Sequence, residues 1–255
     1  GAVGAGTLRS PNSLALDSVN NTLFVTDVGN SRVLAYNLAD GIANGEDAMA
    51  VLGQADFITT QTEAQPAGPA VFGEATHVAY GDSKLFVTDR RYNRVLVFDV
   101  ATLTNGEEAF RVLGQPDFVS HAFNQGLADT SAAALAEPSR SLYDSANKTL
   151  YVADASNMRV LSFDFTEITN GENAVAQLGQ VTFTSRFLNG SPNGLVNQRG
   201  YYSPSGLALN KETQSLYVLD TNNQRIVSVN LVDLPTTVMP DGTMGFPYSK
   251  AINLA

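Results

Sequence analysis

The sequence predicts an all-β fold in which one four-stranded antiparallel unit occurs four times. The first observation is a hairpin pattern, which reads LFVTDVGNSRVLAYN at residues 23–37 and returns at 85–99, 150–164 and 216–230. The second is the period of this pattern, about 64 residues, because self-similarity at a fixed period is typical of repeat architectures. The third is the shortness of the apolar runs, which are bounded by Asn, Asp and Gly.

Each unit contains four predicted strands. In the first unit these are Ser13–Asp17, Leu23–Asp27, Arg32–Asn37 and Ala48–Leu52. Short runs rich in β-branched and aromatic residues favour strands over helices, and the turn residues between them favour hairpins. Because the strands are apolar on both faces, we expect small sheets that pack face to face.

Every unit also places an Asp and an Arg five residues apart, one on each side of the hairpin turn. Facing each other across the hairpin neck, they would form a charge-assisted hydrogen bond that fixes the strand register. A catalytic pair is needed once, whereas a structural clasp is needed in every unit, so we interpret these pairs as clasps. The four pairs are Asp27–Arg32, Asp89–Arg94, Asp154–Arg159 and Asp220–Arg225.

Four-stranded antiparallel sheets at a fixed period are typical of the blades of a β-propeller. We therefore expect one propeller domain spanning residues 1–255, with blades at approximately 1–66, 67–125, 126–193 and 194–255. The fourth unit lacks the NGE and LGQ segments of the other three, a departure typical of a terminal repeat. We expect a closed ring of four blades; the alternative is a portion of a larger propeller, for example one of six blades.

The order of these segments resembles the NHL repeat family. The resemblance is carried by a Pro, an LALD-like strand, LFVTD, an Asn, RV and an aromatic strand, and it covers nearly the whole chain. It implies a β-propeller, usually of six blades. The units here are longer than the forty-odd residues typical of the family, and four are found.

Composition excludes several classes of partner. The formal net charge of −10 opposes binding to nucleic acid and docking on anionic membranes. No apolar run approaches the roughly 20 residues of a membrane span, so no membrane insertion is expected. The chain has no Cys, which excludes disulfides and thiolate metal sites, and it has only four Lys. This acidic, cysteine-free composition leads us to expect a secreted or cell-surface protein.

Propeller geometry gathers the turn between the second and third strands and the long blade connections on one face, here called the top face. Long loops gathered on one face are common binding sites. The second unit deviates from the repeat there, reading RRYN, and Arg and Tyr side chains suit carboxylate, sulfate or sugar ligands. The alternatives are a solvated turn and hydrogen-bonded strand residues. The candidate ligand-binding residues are Asn12, His77, Arg90, Arg91, Tyr92, Ser139 and Arg140.

The opposite, bottom face carries the acidic NGE turns. Oxygen-rich turns can hold calcium, but the alternating carboxylate spacing of a strong calcium loop is missing. Their repetition favours a structural turn, so we expect neither a cofactor nor a metal site. The acidic residues of these turns are Glu46, Asp47, Glu107, Glu108 and Glu172.

These observations favour a non-enzymatic, extracellular binding or scaffold module. Its top face would recognise a protein, a glycan or a neighbouring copy. The alternative is a hydrolase or lyase at the mouth of the central channel, since the resemblance extends to a metal-dependent peptide-amide lyase and to lactone hydrolases. Only His77 stands near the axis as a metal ligand, which makes a metal ring a poor fit. RNA binding, known for some NHL propellers, would need a more basic top face.

Overall fold

A computed structural model describes residues 3–59 and 66–232 and the strand at 249–253. Within these residues the chain forms four antiparallel sheets of four strands each, with strand order following chain order in every sheet. Blade 1 contains β1 (Pro11–Asp17), β2 (Thr22–Asp27), β3 (Arg32–Asn37) and β4 (Ala50–Leu52). Blade 2 contains β5 (Ala75–Gly81), β6 (Lys84–Asp89), β7 (Arg94–Asp99) and β8 (Arg111–Leu113). Blade 3 contains β9 (Pro138–Asp144), β10 (Thr149–Asp154), β11 (Arg159–Asp164) and β12 (Ala176–Leu178). Blade 4 contains β13 (Pro204–Asn210), β14 (Ser215–Asp220), β15 (Arg225–Asn230) and β16 (Ser249–Asn253).

The all-β propeller fold and its four blades are confirmed. The third strand of blade 1 has the predicted bounds, and the first begins two residues earlier, at Pro11. Pro11 still pairs with Asp27, after a register shift between Pro11 and Leu14. The fourth strand is shorter than predicted and begins at Ala50, because the amide of Ala48 bonds the carbonyl of Ala5 outside the sheet.

Neighbouring blades pack face to face, and their buried apolar side chains form the core. We call the blade face that meets the following blade its front face and the opposite face its back face. Phe24, Val33 and Leu52 on the front of blade 1 lie in one cluster with Val87 and Phe98 on the back of blade 2. Similar clusters join blade 2 to blade 3 and blade 3 to blade 4. Most of the core therefore lies between the sheets, and a fourth cluster that includes Val25, Leu34 and Val51 lies on the back of blade 1.

The expected closed ring of four blades is wrong: the four blades form an open arc. The inner strands lie side by side in the order β1, β5, β9 and β13, and no comparable packing joins β13 to β1 among the described residues. Leu14 on the back of β1 is 65% exposed, whereas its counterpart Val78 in blade 2 is 2% exposed. At the other end, Leu219 on the front of β14 is 43% exposed, and its counterpart Thr88 is fully buried.

The Gly of each LGQ segment makes room for the following blade. Gly53 has φ of +87°, and a Cβ built on it would lie 2.1 Å from the ring of Phe72. Gly179 has φ of +99°, and its Cβ would lie 2.4 Å from the ring of Tyr201. Only glycine satisfies both this backbone conformation and this close approach, which explains why the segment repeats.

The Asn-Gly pairs of the NGE turns in blades 2 and 3 hold the outer edge of the preceding blade. The amide of Val51 in β4 donates to Oδ1 of Asn105 at 3.1 Å, and its carbonyl accepts from the amide of Gly106 at 2.9 Å. Asn170 and Gly171 bind Val112 of β8 in the same way, at 3.1 and 2.9 Å. Each pair therefore caps an edge strand whose backbone groups would otherwise lack strand partners.

Candidate functional site

The Asp of each predicted clasp lies at the centre of a small buried hydrogen-bond network on the top face. Asp27 and Arg32 are both fully buried, and Nε of Arg32 donates to Oδ2 of Asp27 at 2.8 Å. The same carboxylate accepts from the amide of Arg9 at 2.6 Å and from Nδ2 of Asn30 at 2.8 Å. It therefore ties the hairpin turn to the segment that leads into the blade.

The guanidinium of each clasp binds the neighbouring loops. Nη2 of Arg32 donates to the carbonyls of Gly4 and Thr7, and Nη1 donates to the carbonyl of Phe57 in the outgoing connection. These distances are between 2.7 and 3.0 Å. Each Asp–Arg pair is thus a hub that joins the hairpin to the incoming segment and, here, to the outgoing one, which exceeds the register-fixing role expected from the sequence. The same Asp–Arg bond occurs at 3.0 Å in blade 2, 2.8 Å in blade 3 and 2.7 Å in blade 4.

Blade 2 differs from the other three in one hub donor. Blades 1, 3 and 4 use an Asn that donates to the Asp carboxylate at 2.8 Å, and blade 2 has Tyr92 at that position. Asp89 instead accepts two backbone amides, from Gly73 at 3.0 Å and Glu74 at 2.9 Å. The ring of Tyr92 lies 5.2 Å from the ring of His121 and 5.1 Å from the guanidinium carbon of Arg94. The Tyr is 8% exposed, so it contributes packing more than ligand-accessible surface.

Four of the predicted ligand-binding residues bridge neighbouring inner strands. Nδ2 of Asn12 donates to the carbonyl of Thr76 at 2.8 Å, and the hydroxyl of Ser139 donates to the carbonyl of Pro204 at 2.8 Å. Nε of Arg140 donates to the carbonyl of Ser205 at 3.1 Å. His77 accepts from the next blade, as described below. These residues form a belt of hydrogen bonds around the channel side of the arc.

His77 is held as a neutral acceptor within this belt. Its Nδ1 accepts the amide of Ser141 at 3.3 Å, just as the hydroxyl of Ser13 accepts the amide of Val78 in the preceding blade pair. Burial, with a smaller contribution from the nearby Arg140 charge, lowers the pKa of His77 from 6.5 to about 4. The imidazole is therefore uncharged at neutral pH, and the nitrogen that a metal or proton would use already has a partner.

The RRYN turn places its two arginines at the exposed edge of the top face. Arg90 lies 3.3 Å from a carboxylate oxygen of Glu137 and 3.8 Å from one of Glu74, and its side chain is 45% exposed. Oε2 of Glu137 accepts the hydroxyl of Ser156 at 2.7 Å. Arg91 is also exposed. Of the seven candidates, the two arginines are thus the ones with an exposed charged group on this face.

The acidic turns of the bottom face hold their own backbone. Oε2 of Glu46 accepts the amide of Ala43 at 2.6 Å, and the equivalent bonds of Glu107 to Thr104 and Glu172 to Thr169 are both 3.1 Å. Three or more His, Asp or Glu side chains arranged to hold a metal ion are not found in the described part of the chain. No helix among the described residues is long and apolar enough to cross a membrane.

The sequence interpretation missed an apolar surface on the blade connections. Ten of the nineteen large apolar side chains that are exposed in the described ranges lie in residues 53–59, 114–137 and 179–203, between consecutive blades. The signal was present in the sequence as apolar residues inside the long loops, in the stretches AFNQGL (122–127) and FLNGSPNGL (187–195), which are rich in Gly and Asn. We define the apolar rim as the six members on the last two connections: Phe123, Leu127, Phe187, Leu188, Leu195 and Val196.

Buried asparagines anchor these loops to the blade turns. Asn124 and Asn157 exchange amide hydrogen bonds at 3.1 and 2.8 Å, which ties the second connection to the turn of blade 3. Asn223 donates to Oδ1 of Asn189 at 2.7 Å, which ties the third connection to the turn of blade 4. Both Asn124 and Asn189 have positive φ, 50° and 56°, a conformation that Asn tolerates better than most residues. The apolar rim is thus carried by loops with fixed hydrogen bonds.

Solved structures of β-propellers resemble this chain at low sequence identity. Hydrazine synthase of Kuenenia stuttgartiensis matches with a TM-score of 0.54 and 13% identity, over 96% of this chain and 50% of that one. The β-propeller domain of Cps50 (Swd1) from Myceliophteria thermophila matches with a TM-score of 0.52 and 10% identity, over 94% of this chain and 58% of that one. The chain therefore spans about half the length of the solved chains it matches, and the likeness shows the fold alone. No protein-family model matches the sequence, and no curated protein matches it significantly.

Proposed function

We propose that this protein is a non-enzymatic binding scaffold whose top face recognises another protein through the apolar rim. The single observation that carries this proposal is the exposure of Phe187, Leu188, Leu195 and Val196, which ranges from 37% to 65%, within one connection. Contiguous exposed apolar residues bordered by polar ones are typical of protein interaction sites.

The third connection holds its apolar residues in a fixed conformation. Nδ2 of Asn189 donates to the carbonyl of Gly194 at 2.7 Å, and Nδ2 of Asn197 donates to the carbonyl of Asn189 at 2.6 Å. The amide of Phe187 donates to Oε1 of Gln180 at 2.9 Å. A surface that is ordered before binding loses less conformational entropy when the partner arrives.

The character of the exposed side chains favours a protein over a glycan. Sugar recognition relies on exposed aromatic faces next to hydrogen-bonding side chains, and the aliphatic residues Leu127, Leu188, Leu195 and Val196 dominate the apolar rim. Arg90 and Arg91 at the neighbouring turn would supply charged contacts at the edge of the same interface.

Two finer features belong to this proposal. We assign the blades to the NHL type, which is supported by the repeated order of Pro, LALD-like strand, Asp, Asn and Arg-Val in the sequence. We also place the protein outside the cell or on its surface, which is supported by four Lys, no Cys and a net charge of −10.

The experiment compares partner capture by matched surface variants. Phe187→Ser/Leu188→Ser removes two exposed members of the apolar rim, and Val19→Ser removes an 85% exposed residue from the turn between β1 and β2 on the bottom face. Each immobilised protein is exposed to an extract of the source organism, and the retained proteins are quantified by mass spectrometry. The proposal expects a specific protein that wild type and Val19→Ser retain and the rim variant loses at least tenfold. A partner retained equally by all three would contradict it.

A further inference from the structure

The two ends of the arc present faces that are covered everywhere else in the chain. On the back of blade 1, Leu14 and Leu16 of β1 are 65% and 53% exposed. Their counterparts in blade 3, Ser141 and Tyr143, are 2% and 9% exposed because blade 2 covers them. The inner half of the back of blade 1 is therefore open without a covering blade, whereas Val25, Leu34 and Val51 farther out on the same face are buried.

The front of blade 4 is uncovered in the complementary way. Leu219 on β14 is 43% exposed, and its counterpart Ala153 in blade 3 is fully buried beneath blade 4. Ala208 on β13 is also exposed. The inner half of this face is thus apolar and open, like the inner half of the back of blade 1.

The outer edge of blade 1 has a further unmatched feature. Asn44 and Gly45 are the blade 1 counterparts of the pairs Asn105–Gly106 and Asn170–Gly171, which bind the edge strands of the preceding blades. Both Asn44 and Gly45 are exposed, and Gly45 has φ of +75°, close to the +70° of Gly106. The turn keeps the geometry that binds an edge strand, while no blade precedes it in the described residues.

We propose that a second copy of this chain covers these faces, with the front of blade 4 of each copy packed on the back of blade 1 of the other. An interface of this type needs one front face and one back face, and each chain leaves the inner half of one of each uncovered. Two copies joined head to tail at both ends form a closed ring of eight blades, in which every inner strand has two neighbours. We infer a second copy because the two uncovered faces are of the same kind as the faces that pack on each other at the three internal interfaces.

A further observation fits this arrangement. Ser205 in blade 4 is the counterpart of Asn12 and Ser139, whose side chains bond the inner strand of the following blade. In the two-copy ring Ser205 gains the same kind of neighbour, which completes the belt around the channel.

The test measures absolute mass by light scattering during size exclusion. Wild type is expected at twice the 27.1 kDa chain mass. Leu14→Glu blocks every back face and Leu219→Glu blocks every front face, so each variant alone is expected at the chain mass. Their equimolar mixture is expected to recover a species of twice the chain mass at higher concentration, because one front face and one back face remain. Val19→Glu, which places the same charge on an 85% exposed bottom turn, should retain the wild-type mass.

Other results would overturn the proposal. Wild type at the chain mass at every concentration would show that the faces are not covered by a second copy. A Leu14→Glu variant that still dimerises would indicate contacts between like faces instead. A ladder of larger species would show head-to-tail contact without closure of the eight-bladed ring. Circular dichroism of each variant keeps these outcomes distinct from misfolding, since both substituted leucines are exposed.

Discussion

The hubs and the apolar rim lie on the same face of the molecule but follow opposite rules. The Asp–Arg pair of the hubs has one geometry in all four blades, with distances between 2.7 and 3.0 Å and at most 6% side-chain exposure. The rim residues are exposed and change identity from one connection to the next. Repetition with burial identifies what every blade needs in order to fold, whereas exposure without repetition identifies what the molecule can present to a partner.

The largest effect is expected when one hub loses its carboxylate. Asp154→Ala leaves the fully buried Arg159 without its counter-ion and removes the acceptor for Asn157 and for the amide of Ala136. Breaking a buried ion pair in this way costs about 3–5 kcal/mol of unfolding free energy. Urea unfolding measures it, with the exposed Asp164 of the same blade as the control through Asp164→Ala. An unfolding free energy equal to that of wild type would contradict the structural role assigned to the hubs.

The next effect tests whether the interface glycines are fixed by packing or only by backbone conformation. Gly179→Ala adds a methyl group 2.4 Å from the ring of Tyr201 at φ of +99°, whereas Gly41→Ala meets nothing within 4 Å at φ of +87°. We expect a loss of about 2–4 kcal/mol for Gly179→Ala, which combines overpacking with backbone strain, and about 1 kcal/mol for Gly41→Ala. Thermal unfolding of the two variants separates the cost of overpacking from the cost of backbone strain. Equal losses would show that backbone strain alone explains why Gly recurs at this position of the repeat.

The lowered pKa of His77 predicts that the unfolding free energy depends on pH, which would not be expected if the imidazole were solvated. Its folded-state pKa of about 4 lies below the unfolded value of 6.5, so the unfolded state binds more protons between these two pH values. Its contribution to stability is therefore complete above pH 6.5 and is lost as the pH falls towards 4, by at most about 3 kcal/mol. His77→Gln keeps a side-chain acceptor without this titration. The difference in unfolding free energy between wild type and the variant should rise with pH across this window, and a flat difference would contradict the assignment.

The smallest effect is expected at the charged edge of the top face. Arg90→Ala removes an arginine that is 45% exposed and lies 3.3 Å from Glu137. Exposed ion pairs contribute little, so the unfolding free energy should change by no more than about 0.5 kcal/mol. A loss comparable to that of Asp154→Ala, measured under the same urea conditions, would erase the distinction between buried hubs and exposed top-face residues.

The repeat made the fold predictable from the sequence. The roles of the candidate site residues depend on long-range contacts and could not be predicted. The hairpin Leu23–Asn37 could be placed because its two short apolar runs and the turn between them are local features. The roles of Asn12, His77 and Ser139 could not be derived, since each bonds a residue 64 or 65 positions away in the following blade. The sequence places them beside the channel but does not show that their polar atoms are already engaged.

Whether the ring closes also could not be predicted from local sequence patterns. The closed four-bladed ring was inferred from the number of repeats, but closure depends on the angle between neighbouring blades, which side-chain packing sets. The exposure of Leu14 and Leu219 shows that this angle leaves the ends of the arc open. The apolar rim was detectable in principle, because apolar residues such as Leu195 and Val196 within a loop rich in Gly and Asn have no core to join.

One measurement tests the division between hubs and rim most directly: urea unfolding of Phe187→Ser/Leu188→Ser beside Asp154→Ala. Both rim side chains are more than a third exposed, whereas Asp154 is fully buried. The division predicts that the rim variant unfolds within about 1 kcal/mol of wild type and that Asp154→Ala loses about 3–5 kcal/mol. A rim variant as destabilised as the hub variant would contradict it, because the exposed connections would then be part of what holds the blades together.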